Sequence, residues 1–146
     1  MKLLKQDKEY NCAVFALHFL LGLNGIDYKV VEMGKELSPN EENGTSHNKI
    51  LGWLLFKGIN SLTYGYNTPI NKLKQSLPAI VNYQLCDKDG CDGHYSVILT
   101  VNNSSVILYN PYNGEIEVLN RREFEKIWYS ERYGKRWFLT MEYLIQ

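Results

Sequence analysis

A chain of 146 residues, 45% hydrophobic and 22% charged, is long enough to bury one core and too apolar to be disordered throughout. Sixteen basic and sixteen acidic residues give a formal net charge of zero, which argues against the one-signed field that gathers nucleic acid or anionic lipid. Three cysteines, at 12, 86 and 91, are an odd number that suggests no disulfide framework and points to a reducing, cytoplasmic setting.

The start, "MKLLK" followed by the apolar "AVFALHFLLGL", imitates a signal peptide. However, Asp7, Glu9 and Asn11 lie between the two parts, His18 interrupts the run and no small-residue cleavage site follows. The run is also too short to span a bilayer. From Cys12 to Leu23 the apolar residues Val14, Leu17, Leu20 and Leu21 recur at helical spacing, so a mostly buried helix is predicted, stopped by Asn24-Gly25. Asn11 stands where an N-cap would, placing Cys12 in the first turn. A second helix fits 28–37. Thr45 or Ser46 can cap a third over 47–58.

At Ile59 the pattern changes. A strand fits 59–66, a short helix or turn "TPINKLKQSL", and a strand 78–85, with "CDKDGCDG" a solvated turn. Three β-rich runs follow, "HYSVILTV", "SVILYN" and "EIEVL", with hairpin signals at Asn102-Asn103 and Asn113-Gly114. A short helix "RREFEKIW" and a closing strand "RWFLTMEYLI" end the chain. Helices over 1–58 and an antiparallel sheet over 59–146 give an α+β fold of two layers, one domain spanning 1–146, without linker or repeat.

Cys12 is the candidate nucleophile: a helix N-terminus and a nearby imidazole are what turn a thiol into a thiolate. An ordinary buried thiol is the competing account. Among the histidines, His18 reads as a core or helix-surface residue and His47 as solvated in a cap region. His94 opens a strand after a Gly-rich turn, at a sheet end where a cleft can form. A base must be held in one tautomer by a third group. Counting outward from a turn near Asn102-Asn103, His94 and Asn110 fall beside one another on adjacent antiparallel strands. Gln6, six residues before the cysteine, is a candidate oxyanion donor together with the Cys12 N–H.

Gln-x5-Cys leading into a helix, His-aromatic-x-Val opening a strand and "NPYNG" in a turn, with "NGTS", "LPAIVNY" and "NRREFEKIW" between and after, together resemble the papain-like peptidases that process double-glycine leader peptides of bacteriocins. The resemblance runs almost end to end and implies a papain-like cysteine peptidase fold. By position it makes Cys12 the nucleophile, His94 the general base and acid, Asn110 the orienter and Gln6 the oxyanion donor. It implies a peptide substrate with small residues before the cut and, for a standalone relative, a separate ABC transporter as partner. The departures are Ala13 where the family has Gly, Asn110 where it favours Asp, and Asp7 one residue earlier than its usual Asp. Ala13, Tyr10 and Tyr95 flank the two catalytic residues and are the candidates for shaping the substrate channel.

Other readings compete. Cys86, Cys91 and His94 supply only three soft ligands, one short of a structural zinc site, and Asp87, Asp89 and Asp92 lack the glutamate a calcium loop needs; no metal or cofactor is expected. The tyrosines and tryptophan at 109, 112, 128, 129 and 133 suit either core or a peptide groove. The same fold could also bind peptides without cutting them, or transfer an acyl group to another acceptor.

Overall fold

The computed structural model describes residues 3–141. Helix α1 (Cys12–Leu23) is apolar nearly all round, with nine of its twelve residues buried, which places it inside the molecule. It ends where Asn24 bonds back to the Leu20 carbonyl at 2.9 Å and Gly25 takes φ +74°. Asn11 does not cap it by its side chain, which instead donates to Asp7. Helix α2 (Val30–Leu37) turns Met33 and Leu37 inward. Helix α3 (His47–Phe56) is capped by Ser46, whose hydroxyl accepts from the Lys49 N–H at 3.1 Å.

Strands β1 (Leu62–Gly65), β2 (Ala79–Asp87), β3 (Gly90–Val101), β4 (Ser105–Asn110), β5 (Glu115–Asn120) and β8 (Phe138–Met141) form one antiparallel sheet in the order β1-β8-β2-β3-β4-β5. A two-residue pair, β6 (Tyr129–Ser130) with β7 (Gly134–Lys135), stands apart from it. Helix α4 (Ile70–Gln75) follows β1, and α5 (Arg121–Ile127), capped by Asn120, follows β5.

The two-layer expectation is corrected. Ile80, Tyr95, Val97, Tyr109 and Leu139 face α1–α3, while their alternate neighbours Val81, Tyr83, Leu108 and Phe138 face a second core with Leu73 of α4 and Phe124 of α5. The sheet is thus buried on both faces, giving three layers. The closing strand is described only to Met141; residues 142–145 of that prediction lie outside the described residues.

Two further expectations fail around β2 and β3. The supposed turn 86–93 is mostly strand: only Lys88 and Asp89 make the turn, so Cys86 and Cys91 stand directly opposite and are joined by a disulfide. The cysteine count therefore no longer argues for reducing surroundings. Cys12 remains the free thiol. His47, expected in solvent, is 2% exposed and stacked on Trp137 with ring centroids 4.0 Å apart. No helix among the described residues is long and apolar enough to cross a membrane.

Candidate active site

The segment before α1 is tied to the far end of β4. The Gln6 N–H donates to the Pro111 carbonyl at 2.8 Å, and the Tyr109 hydroxyl donates to Leu4 O. Phe19 of α1 stacks on the Tyr109 ring at 4.2 Å. Gly114, at φ +71°, lets the chain pass, because a Cβ there would meet the Lys5 backbone at 3.1 Å. These contacts set α1 against β3, with Cys12 at the helix's first turn.

The ladder between β3 and β4 stops at Val97 and Tyr109. Beyond that point, the backbone N–H groups of Tyr95, Ala13 and Cys12 favour the anion of the Cys12 thiol. Burial outweighs these donors and pushes the thiol up to about 11. Cys12 is therefore a neutral thiol near pH 7, not the thiolate that a helix N-terminus alone would favour.

His94, the residue next to Tyr95, turns its ring to the other face of β3, edge-on to Tyr83 at 5.5 Å. Its Nε2 lies 2.6 Å from Asn110 Oδ1. The Asn110 amide has its orientation set by two other partners: Oδ1 accepts the Tyr112 N–H at 3.0 Å, and Nδ2 donates to Glu117 Oε1 at 3.2 Å. Since Oδ1 can only accept, His94 Nε2 must carry the proton, which leaves Nδ1 with its lone pair free to act as base. Burial lowers the His94 pKa, while the Asn110 bond and the Glu117 charge act in the opposite direction. The adjacency counted from the turn holds at side-chain level. Among the described residues no hydrogen bond joins Cys12 to His94; it is the histidine's neighbour Tyr95 that lines the cleft with Cys12.

Gln6 is buried close by, but both its amide hydrogens are engaged, with Lys8 O at 2.8 Å and Glu9 O at 3.2 Å, and its Oε1 has no partner. Cys12 lines a cleft of about 390 Å³ together with Tyr10, Tyr95, the 41–45 loop, Asn82 and Gln84 of β2, and residues 130–133. Tyr10 and Tyr95 are thus brought to the cleft. Ala13 is not: it lies on the face of α1 that is buried in the core. His18 lines a separate groove behind α1.

Sequence reasoning missed three members of the site. Glu117 is one of the alternating residues of "EIEVL" and carries no local mark. Asn82 looked like an ordinary strand residue. His47 donates through Nδ1 to the Tyr95 hydroxyl at 2.6 Å, because that hydroxyl spends its own hydrogen on Thr45 O at 2.7 Å. Its Nε2 is then a buried acceptor without a partner, and burial lowers the ring's pKa to about 4. Among the described residues no group of three or more His, Cys, Asp or Glu could hold a metal ion.

Residues 1–131 match the model of the Peptidase C39 family. An uncharacterized protein of Methanothermobacter marburgensis is 28% identical over 125 residues, covering 86% of this chain and 81% of that protein. Another, from Methanothermobacter thermautotrophicus, is 29% identical over 122 residues, covering 84% and 79%. Among solved structures, a C39-like peptidase from Bacillus anthracis superposes with TM-score 0.75 at 14% identity, covering 96% of this chain and 94% of that one. A double glycine motif protease of an AMS/PCAT transporter, in complex with the leader peptide, gives 0.72 at 13% identity, covering 94% and 88%. The peptidase domain of Streptococcus ComA, a bi-functional ABC transporter of a quorum-sensing pathway, gives 0.72 at 16%, covering 96% of both chains. At these identities the structural likeness establishes the papain-like fold.

Proposed function

The chain belongs to the Peptidase C39 family, and on that footing we propose that it is a cysteine endopeptidase cutting a peptide after small residues. The observation that supports this reading is the tautomer of His94: with Nε2–H held by Asn110, its Nδ1 keeps the lone pair that a neutral thiol needs, and substrate binding has to bring that nitrogen and the Cys12 sulfur together. The attack then begins from a neutral pair. As the substrate carbonyl reaches Cys12, the thiol proton passes to Nδ1, and the sulfur bonds to the carbonyl carbon. Asn110 Oδ1, with the Glu117 carboxylate behind it, stabilises the imidazolium so formed. The imidazolium returns its proton to the leaving amine, and water, deprotonated by Nδ1, hydrolyses the thioester.

The developing oxyanion is met by the Cys12 N–H and by Gln6, which turns one amide hydrogen from Glu9 O, its longer bond, toward the substrate. Tyr10 and Tyr95 wall the cleft beside Cys12, which favours glycine or alanine before the cut. The leader-peptide complex of the transporter protease named above supports a leader-like substrate, and a separate ABC transporter is the partner this reading assigns. The test is intact-mass labelling with a Gly-Gly peptide aldehyde, alongside a peptide series varying only the two residues before the cut. A hemithioacetal on wild type and none on Cys12→Ala supports the reading; cleavage after Leu-Leu as fast as after Gly-Gly defeats the leader-peptidase part. Peptide binding without any adduct would make the protein a non-cutting peptide receptor.

A further inference from the structure

The cleft over Cys12 has a charge that the chain as a whole lacks. Sixteen acids balance sixteen bases along the sequence, yet Glu9, Glu41, Glu42, Asp92 and Glu131 all line this cleft, against Arg132 alone. Among the described residues none of the five makes an ion pair. Arg132 is already engaged, donating to the Asn43 side chain, and Lys8 stands over the Tyr10 ring at 5.8 Å. The acids come from four separate stretches of chain, so the fold has gathered them.

A second, independent observation lies at the floor. Asn82 of β2 is 3% exposed, lines the same cleft, and its Oδ1 has no hydrogen-bond partner. A buried amide oxygen without a donor costs on the order of 1–3 kcal/mol. This oxygen lies against the bare Cα of Gly93, where a Cβ would come within 3.1 Å of it. The glycine leaves that oxygen room beside β3. The floor thus lacks a hydrogen-bond donor and the rim lacks a cation. A neutral backbone N–H answers only the first need, while an ammonium or guanidinium answers both.

We propose that this cleft selects peptides carrying a lysine or arginine beside the scissile bond, its N–H donors reaching Asn82 Oδ1 and its charge held by the acidic rim. This deepens the peptidase reading and rests on it for the existence of a scissile bond. The test separates the two by measuring binding and turnover apart. Three labelled peptides, Ala-Lys-Gly-Gly-Lys-Ala and its Gln and Glu counterparts, are titrated against the full-length Cys12→Ala protein by fluorescence anisotropy. The lysine peptide is expected to bind roughly tenfold or more tightly than the glutamate peptide at low salt, with the advantage shrinking as ionic strength rises. The Glu41→Gln, Glu42→Gln double variant, altered only at exposed positions, should cut that advantage roughly three- to tenfold. Asn82→Ala should weaken the lysine peptide more than the glutamine peptide. Equal affinity for all three peptides, or binding of none, overturns the proposal. Preference for lysine on Cys12→Ala with no cleavage by wild type removes the peptidase reading and keeps the charge selection.

Discussion

Replacing Asn110 with aspartate isolates what the amide contributes. In sequence the two residues look interchangeable, since each offers an oxygen to the His94 Nε2–H. In the fold they differ, because Asn110 Nδ2 donates to Glu117 Oε1 at 3.2 Å. Aspartate turns that donor into a second carboxylate oxygen. Two unit charges at that spacing repel by about 5 kcal/mol at an effective dielectric of about 20. The lost charge-assisted bond adds roughly 1.5–3 kcal/mol. Protonating one carboxyl limits the penalty to about 4 kcal/mol at pH 7, taking an ordinary carboxyl pKa near 4. Side-chain rotation relieves part of this by giving up the hold on His94. Asn110→Asp should therefore lower kcat/KM at pH 7 by about tenfold or more, where 1.4 kcal/mol is one factor of ten. Adding Glu117→Gln supplies a donor to the new carboxylate and should restore most of the loss. The assay is a double-mutant cycle in kcat/KM on a Gly-Gly peptide, with urea unfolding run in parallel to separate activity from stability. A coupling of at least about 1.5 kcal/mol is expected. If Asn110→Asp alone matches wild type, or the two changes simply add, the Glu117 contact does not orient the base and the reasoning is wrong.

Two more outcomes follow from the protonation states. Alkylation of Cys12 by iodoacetamide in the folded protein should quicken about tenfold per pH unit until near pH 11, since burial pushes the thiol up to about 11; a rate already level at pH 7 would mean a preformed thiolate. His47 should make stability fall with acid: burial lowers its pKa from 6.5 to about 4, so below pH 6.5 the unfolded chain takes up a proton that the native ring refuses. Stability is then lost progressively between pH 6.5 and 4, by about 3 kcal/mol in all, and His47→Gln should flatten that slope in urea unfolding, whereas an unchanged slope would assign it to other groups.

What was legible in the sequence and what was not divide by the distance over which each feature is decided. Helix α1 could be read because its apolar spacing is its own, and the adjacency of His94 and Asn110 could be counted because one short turn sets the register of two strands. That count survived the irregularity between Ile98 and Thr100, since it needed only neighbouring side chains and not a perfect ladder. The disulfide was hidden by the same local chemistry that signals turns. Asp and Gly around Cys86 and Cys91 read as loop, and only closure of the hairpin on Lys88 and Asp89 sets the two sulfurs opposite. The burial of His47 was out of reach for a different reason: its partner Tyr95 is 48 residues away and its stacking partner Trp137 further still. The thiol illustrates the limit best. A helix N-terminus argues for a lowered Cys12 pKa, and the donors that do so are present, but the layers that close over the sulfur reverse the sign. A nucleophile's position is set by local chain geometry, whereas its protonation is set by everything packed around it. In this fold the second effect wins in the free protein, so a proton still has to leave Cys12 before its sulfur can attack, and in the proposed mechanism it is the neutral His94, held by Asn110, that receives it.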